Sequence, residues 1–154
     1  KTLKKFKGLK YRQEIIFHSK KLTIINDSKA TTFSSSASLL KSLTNVYWII
    51  GGQAKKGDKL LLSKKDSKNI KAYVFGNNKK FFTSKLKKLI KYECFSDLKS
   101  LVKKLSLEIK LDKDMTNKII LFSPSAASFD SFKNFEKRGE YFNQLIKKYI
   151  NVQF

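Results

Sequence analysis

The chain has 154 residues, of which 41% are hydrophobic, so it is long and apolar enough to form one domain with a buried core. No apolar stretch reaches the roughly 18 residues that a membrane-spanning helix needs. The single cysteine, Cys94, has no partner for an internal disulfide. This composition excludes a disulfide scaffold and a membrane span, and it favours the reducing cytoplasm.

The formal net charge of +22 first suggests a nucleic-acid partner. Only two of the 34 basic residues, Arg12 and Arg138, are arginines, and the lysines are spread over the whole chain. Proteins that read nucleic acid usually use arginine, whose planar guanidinium fits phosphates and guanine edges. A solvated lysine-rich surface is therefore favoured, and a basic nucleic-acid-binding module stays open as an alternative.

The first half of the chain predicts a hairpin, a helix and a buried strand. The basic segment of residues 1–10 indicates a linker. EIIFHS (14–19) and LTIIND (22–27) are two β-prone runs separated by two lysines, which predicts a β-hairpin. SKATTFSSSASLLKSL (28–43) predicts a helix. NVYWII (45–50) is an apolar run stopped by glycine, which is typical of a strand buried on both faces.

Helices and strands alternate through the rest of the chain. The predicted strands are residues 70–76, 91–95 and 117–122. The predicted helices are residues 57–68, 79–90, 96–109 with Ser96 as N-cap, and 131–150. The last helix is expected to turn six residues inward, namely Phe132, Phe135, Phe142, Leu145, Ile146 and Tyr149.

This alternation predicts an α/β fold, specifically a Rossmann-like three-layer sandwich over residues 11–154. The sheet should have about six strands and be mostly parallel, with one antiparallel edge strand from the N-terminal hairpin. Ligands of such sheets bind at the carboxyl ends of the strands. The candidate site therefore consists of the loops that follow strands, at residues 27–31, 51–58, 75–78 and 123–130.

Several side chains in these loops have chemistry that suits a ligand. Asp27 could bind ribose hydroxyls or a metal, and Lys29 could bind phosphate. Thr31 could face the ligand or cap the next helix. Lys55 and its neighbour Lys56 follow a Gly-Gly turn, and they either hold an anion or are ordinary surface lysines.

Outside these loops, Arg138 lies too far along the last helix to cap it. The sequence predicts that Arg138 pairs with an acid or reaches a neighbouring domain.

The sequence lacks the usual motifs for handling ATP. It has no GxxxxGK[ST] phosphate loop, no GxGxxG fingerprint, and no Cys/His set with metal-ligand spacing. The chain therefore cannot be expected to activate ATP by itself. A non-catalytic Rossmann-like nucleotide-binding domain remains a further alternative.

Five motifs follow one another along the chain. They are GLKYRQE (8–14), NDSKAT (26–31), GGQAKKGD (51–58), VFG (74–76) and LFSPSAASFDSFKNFEKRG (121–139). With these motifs, nearly the whole chain resembles the C-terminal domain of the Mur ligases. The last motif resembles the members of that family that add D-glutamate.

The resemblance implies an ATP-dependent ligase of peptidoglycan biosynthesis, the pathway behind cell-wall biogenesis, cell shape and cell division. Such an enzyme adds D-glutamate to UDP-N-acetylmuramoyl-L-alanine through an acyl phosphate. An N-terminal domain binds the UDP substrate, and a central domain holds most of the ATP and Mg²⁺. Those two domains, absent from this chain, would be its partners. The chain alone is expected to be inactive.

The resemblance also assigns roles to matched positions. The D-glutamate contacts are Lys29, Thr31, Lys55, Ser128, Phe129 and Phe135. The nucleotide contacts are Arg12, Asp27 and Lys29. No catalytic group and no metal ligand is assigned within the chain. Lys55 is favoured over Lys56 from its distance to the Gly-Gly turn, with the register open by one residue.

Overall fold

Six strands and five helices alternate along residues 8–152 and 154, the part of the chain that the computed structural model describes. The strands are β1 (Glu14–His18), β2 (Leu22–Asn26), β3 (Val46–Gly51), β4 (Ile70–Phe75), β5 (Lys91–Phe95) and β6 (Lys118–Phe122). The helices are α1 (Phe33–Ser42), α2 (Lys64–Ser67), α3 (Lys79–Leu86), α4 (Leu98–Leu111) and α5 (Phe135–Tyr149). Most of the predicted linker, residues 1–7, lies outside the described residues.

The strands form one sheet in the order β1-β2-β6-β3-β4-β5. β1 and β2 pair antiparallel, and every other neighbouring pair is parallel. The pairing confirms the predicted α/β class and the antiparallel edge strand from the N-terminal hairpin. Because parallel strands end at the same edge, the carboxyl ends of β2, β6, β3 and β4 lie side by side.

The sheet is buried because helices cover both of its faces. In β3, Trp48, Ile49 and Ile50 have no exposed surface, as expected for a strand that packs on two sides. One apolar core joins the sheet to α1 and α3, and a second joins it to α4 and α5. These two cores confirm the three-layer arrangement. Within the described ranges, no helix has both the length and the apolarity of a membrane span.

The N-caps of two helices are not the residues that the sequence analysis considered, and α1 begins at Phe33 and not at residue 28. Thr32 accepts a hydrogen bond from a first-turn N–H at 3.3 Å, so Thr32 and not Thr31 caps α1. Asp97 accepts the corresponding bond of α4 at 2.7 Å, so the prediction of Ser96 as N-cap is wrong. Both capping residues have extended backbone, the conformation that aims a side-chain oxygen at the first turn.

Two other helices are shorter than predicted. Helix α5 begins at Phe135, after Asn134 accepts a hydrogen bond from a first-turn N–H at 2.8 Å, and not at residue 131. Helix α2 has only four residues and follows a capping box of Ser63 and Asp66, whereas residues 57–68 were predicted. Residues 57–63 are not helical, and Leu62 in this segment packs into the core beside α1.

Helix α5 combines an apolar stripe with a polar one. Three of the six residues predicted to face inward are buried, namely Phe142, Leu145 and Ile146. The other three are half-buried, namely Phe132, Phe135 and Tyr149. Arg138 and Gly139 are buried as well, which the apolar pattern does not indicate. This polar stripe connects the fold to the candidate site.

Replacing Phe142 by Ala tests the core beneath the site. The Phe142 ring is fully buried and stacks on Phe122 with ring centroids 4.3 Å apart. We expect the free energy of unfolding to fall by about 3–5 kcal/mol, measured by urea denaturation, because the cavity left by a buried Phe cannot collapse fully. Leu111→Ala is the control, since Leu111 is 78% exposed and should change stability by about 0.5 kcal/mol or less. Equal losses for the two variants would contradict this packing.

Candidate functional site

The loops after β2, β3 and β6 are hydrogen-bonded to one another at the carboxyl edge of the sheet. The Asp27 N–H donates to the Phe122 carbonyl at 2.7 Å, and the Gly51 N–H donates to the Pro124 carbonyl at 3.1 Å. Gln53 and Ala127 form an isolated antiparallel bridge, with N–H to carbonyl distances of 2.8 and 3.1 Å. The loops that the sequence groups into one site therefore meet in space.

Gly52 allows two of these loops to approach closely. Its φ of 134° lies where L side chains are rarely found. A Cβ at this position would lie 2.5 Å from the Ala127 carbonyl oxygen and 3.1 Å from Nη1 of Arg138. The Gly-Gly turn is thus required for backbone contact with the loop at residues 123–130.

Arg138 holds the loop after β2 against the loop after β6. Its side chain is fully buried, and all three of its nitrogens donate hydrogen bonds. Nε donates to the Ser28 hydroxyl at 3.1 Å and Nη2 to the Ser28 carbonyl at 2.6 Å. Nη1 donates to the Ala126 carbonyl at 2.8 Å. A guanidinium on α5 is therefore the centre of the candidate site.

The sequence prediction for Arg138 is wrong. In the described part of the chain Arg138 forms no ion pair with an acid. Because its side chain is fully buried, the guanidinium cannot reach a neighbouring domain. Burial lowers the pKa of Arg138 to about 10, and the negative charge of Asp130 partly opposes that effect. Its partners are neutral oxygens: the Ser28 hydroxyl and carbonyl, 110 residues away, and the Ala126 carbonyl, 12 residues away. No local pattern reveals the contact with Ser28.

A second set of hydrogen bonds joins the loop after β2 to α5. The Asn26 side-chain amide donates to the Gly139 carbonyl at 3.0 Å and to Oδ1 of Asn143 at 2.7 Å. The Ser28 hydroxyl donates to the Phe135 carbonyl at 2.8 Å. The polar half of α5 is thus paired with the backbone and side chains that precede Lys29.

A buried serine cluster lies beneath the loop at residues 123–130. The Ser36 hydroxyl is 2.6 Å from the hydroxyls of both Ser123 and Ser125. The Trp48 indole donates to the Ser123 carbonyl at 2.8 Å. Small side chains crowd this loop because their hydroxyls satisfy one another in a space with no room for larger groups.

Asp27 belongs to the same buried network. Its carboxylate accepts hydrogen bonds from the Ser123 hydroxyl at 2.8 Å and from the Gln13 N–H at 3.1 Å, and the residue is 4% exposed. Burial raises the pKa of Asp27, while these two hydrogen bonds and the charge of Arg12 lower it. Asp27 therefore fixes the loop from inside. Its predicted contact with ribose stays a prediction.

The exposed side chains of the candidate site are mainly cationic and aromatic. Lys29 is exposed, and its Nζ lies 5.3 Å from the centroid of the half-buried Phe135 ring. Phe129 is 71% exposed, and Thr31 is exposed as well. Arg12 is exposed near the carboxylate of Asp27. A cation over a ring beside further cations is suited to an anionic ligand.

Lys55 and Lys56 lie on a turn that is attached to α1. The Lys55 carbonyl accepts from the Asp58 N–H at 3.1 Å, and the Asp58 carboxylate accepts from the Phe33 N–H at 2.8 Å. Both lysine side chains are exposed. The bridge between Gln53 and Ala127 places this turn next to the loop that continues into Ser128.

Lys29, Lys55 and Ser128 line neither of two cavities found in the described part of the chain. Ser128 is only 3% exposed, and its carbonyl accepts the N–H groups of Ser131 and Phe132. A cavity of about 290 Å³ at the carboxyl ends of β4 and β5 is lined by Asn77, Ser96 and Tyr141 among others, and by none of the three. The structure brings their backbone segments together on an open surface.

No group of three or more His, Cys, Asp or Glu side chains within residues 8–152 and 154 is arranged to hold a metal ion.

Comparison with known proteins identifies the relatives of this chain. It is 37% identical over 149 residues to the UDP-N-acetylmuramoylalanine–D-glutamate ligase of Francisella philomiragia subsp. philomiragia. The matched region covers 94% of this chain and 35% of that protein. A protein of the same name from Francisella tularensis subsp. tularensis is 36% identical over the same length. The chain thus spans about one third of the length of the curated relatives that it matches. No family model matches it.

The chain is homologous to the D-glutamate ligases of the Mur family. This confirms the family resemblance seen in the motifs. The loops that carry NDSKAT and SPSAASFDSFKNFEKRG are the two that Arg138 holds together. Some residues of these motifs are therefore buried and stabilise the loops, whereas others are exposed.

Asp130 is an unusual acid within the last Mur motif. Its Oδ2 is buried and has no hydrogen-bond partner among residues 8–152 and 154. A Cβ added at Gly76 would lie 3.3 Å from this oxygen, so the absence of a side chain at Gly76 leaves it room. Burial raises the pKa of Asp130, and the charge of Arg138 partly offsets that increase. Asp130 is therefore a distant counter-charge for the buried guanidinium.

The two arginines provide a matched test of the Arg138 contacts. We expect Arg138→Lys to lower the free energy of unfolding by about 3 kcal/mol, because one ammonium cannot reach three acceptors and leaves buried carbonyls unpaired. Arg12→Lys, on the exposed surface, should change it by about 0.5 kcal/mol or less. Urea denaturation of both variants measures the difference. A tolerated Arg138→Lys would show that the guanidinium fork does not hold the loops.

The pKa of Asp130 predicts how stability varies with pH. Since the folded pKa is raised above 3.8, the unfolded chain releases this proton first, and the folded state loses stability as pH rises from about 4. Between pH 3 and 7, wild type should therefore lose stability relative to Asp130→Asn. Urea denaturation at several pH values measures this trend.

Asp114 is the control with the opposite sign. Hydrogen bonds from Lys118 and Thr116 lower its pKa to about 2, so it stabilises the fold above pH 3.8 and loses that effect as pH falls toward 2. Relative to Asp114→Asn, wild type should gain stability between pH 3 and 7. Parallel trends for the two variants would contradict the assignment of Asp130.

Proposed function

We propose that this chain is the C-terminal, amino-acid-presenting domain of an ATP-dependent ligase that adds D-glutamate to UDP-N-acetylmuramoyl-L-alanine. One geometric observation carries the proposal. Arg138 fixes the segment leading to Lys29 against the segment leading to Ser128, and the bridge of Gln53 to Ala127 brings the Lys55 turn to the same edge. The names of the relatives support D-glutamate as the amino acid.

D-glutamate has two carboxylates, which need cationic or N–H partners, and an amine that must remain free to attack. Lys29 and Lys55 are exposed at the site and supply the cations. The Phe135 ring, with the Lys29 ammonium over it, provides an apolar surface for the carbon chain of the ligand. Thr31, Ser128 and Phe129 complete the proposed pocket.

The nucleotide contacts are proposed on the same edge. Arg12 and Lys29 are exposed cations that suit the phosphate groups of ATP, so these residues fit a bound nucleotide. Asp27 is buried with both oxygens hydrogen-bonded, and it acts mainly by fixing the loop that carries Lys29. When bound, ATP supplies the phosphoryl group that activates the substrate carboxylate. Mg²⁺ and the phosphate loop are expected on the central domain.

The open surface agrees with a site that is completed by other domains. A closing central domain would bring the free amine of a D-glutamate whose carboxylates are held at Lys29 and Lys55 against the activated carboxylate, and it would exclude water from that carboxylate. The UDP-binding and central domains are thus the proposed partners in one polypeptide, the cytoplasm is the proposed location, and the isolated chain should have no ligase activity.

The adjacent lysines provide a matched test in the polypeptide that also carries the two other domains. We expect Lys55→Ala to raise the KM for D-glutamate about 10- to 100-fold, the loss expected for one charge-assisted hydrogen bond, with the KM for ATP changed far less. Steady-state kinetics with each substrate varied measures both values. Lys56→Ala is the control and should behave as wild type.

Two results would count against this assignment. Equal loss of D-glutamate and ATP use would move Lys55 out of the amino-acid pocket. If the KM for D-glutamate rose more in Lys56→Ala than in Lys55→Ala, Lys56 would be the residue that contacts D-glutamate.

A further inference from the structure

A second concave surface lies at the opposite edge of the sheet. It is an open cavity of about 610 Å³ at the amino ends of β3, β4, β5 and β6, formed with α2 and the turn after α3. The proposed D-glutamate and nucleotide contacts all lie at the carboxyl edge, so this cavity is separate from that site. We call it the amino-edge cavity.

Lysines dominate the lining of the amino-edge cavity. Six of its thirteen lining residues are lysines, namely Lys64, Lys68, Lys71, Lys88, Lys91 and Lys118. This share is roughly twice that of lysine in the whole chain, and no acidic residue lines the cavity. Lysine is therefore concentrated in the lining of this cavity relative to the whole chain.

Two of these lysines are already neutralised. Lys71 Nζ lies 2.6 Å from Glu93 and 3.2 Å from Glu108. Lys118 Nζ lies 2.6 Å from Asp114 and 3.5 Å from Asp112. Each of these two lysines faces two carboxylates, so the ion pairs hold two walls of the cavity in place and add no positive charge to it.

The other four lysines are exposed and form no ion pair within the described ranges of the chain. They come from three places in the chain: Lys64 and Lys68 from α2 and its C-cap, Lys88 from the turn after α3, and Lys91 from the start of β5. Lys88 has a φ of 67°, a left-handed backbone that is unusual for a long side chain. Four like charges around one concave surface repel each other, and a bound polyanion would relieve that repulsion.

The floor of the cavity is not purely polar. Tyr47 and Leu89 are half-buried in its lining, and the exposed residues Asn45 and Asn69 line it as well. A mixture of apolar surface and a few converging charged groups is typical of small-molecule sites. The volume also exceeds what a single phosphate needs.

From these observations we infer that the amino-edge cavity binds a compact polyphosphate, with a triphosphate group held by Lys64, Lys68, Lys88 and Lys91. Inorganic triphosphate and a nucleoside triphosphate share a chain of phosphates with three or four negative charges, which matches the four ammonium groups that form no ion pair among the described residues. The triphosphate could be inorganic or part of a nucleotide, and the half-buried Tyr47 gives a nucleotide additional apolar contact.

The test is calorimetric titration of the full 154-residue chain with tripolyphosphate and, separately, with a nucleoside triphosphate, without divalent cations, at 150 mM salt. The cavity variant replaces Lys64, Lys68, Lys88 and Lys91 by Gln. The control variant replaces four exposed lysines outside the cavity by Gln, namely Lys20, Lys99, Lys104 and Lys133. Both variants lose the same charge, and circular dichroism checks that both remain folded.

We expect tripolyphosphate to bind wild type with a stoichiometry of one, at least tenfold more weakly to the cavity variant, and within about threefold of wild type to the control variant. Amide NMR shifts on titration should concentrate at Asn69, Lys88 and Lys91. Tighter binding of the nucleoside triphosphate, lost in the same variant, would identify a nucleotide as the ligand.

Three results would overturn the inference. They are no binding at 150 mM salt, equal weakening in both variants, and NMR shifts confined to the loops at the carboxyl edge. The last result would place the anion in the proposed ligase site and leave the proposed function intact, so the two proposals can fail separately.

Discussion

The candidate site depends on one buried guanidinium. Placing the Arg138 charge in the interior costs several kcal/mol unless its donors are satisfied, and its three nitrogens achieve this with the Ser28 carbonyl and hydroxyl and the Ala126 carbonyl. These acceptors lie on two loops, so the charge is stable only when both loops approach α5 together. The arrangement explains why a chain whose other basic residues are nearly all lysines has arginine here, since an ammonium has neither the planar fork nor the reach.

The polar network beneath the loops and the cations above them have different tasks. Asn26, Asp27 and the serine cluster are buried, and they determine the path of each loop. Asp27 pairs with Ser123 of the serine cluster, and Asn26 pairs with Gly139 and Asn143 of α5. Lys29 and Lys55 are exposed, so their ammonium groups remain available to a ligand. A fixed backbone with solvent-exposed charged side chains suits the proposed site, because the backbone that carries the cations is in place before a ligand binds.

Sequence patterns predict most of the fold and only the exposed part of the site. The strands were found because both faces of the central strands are buried, which gives uninterrupted apolar runs such as VYWII in β3. Helix starts were missed by up to seven residues, as at α2, where residues 57–63 are not helical. At α4 the N-cap was missed by one residue, because Ser96 and Asp97 compete and local backbone geometry decides which one caps. The burial of Arg138 depends on contacts with residues 110 positions away, and no local pattern contains that information.

The two edges of the sheet show how one compositional bias can have two different consequences. Lysine is abundant throughout the chain, and at most positions it is solvated and unremarkable. At the carboxyl edge, the lysines proposed to contact the ligand are two. Lys29 lies beside the Phe135 ring, and Lys55 follows the Gly-Gly turn. At the amino edge, four unpaired lysines converge on one concave surface without an acid among the lining residues. Net charge alone therefore predicts neither site. The relevant quantity is the charge that remains after local ion pairs have formed, on a surface whose shape can hold a ligand.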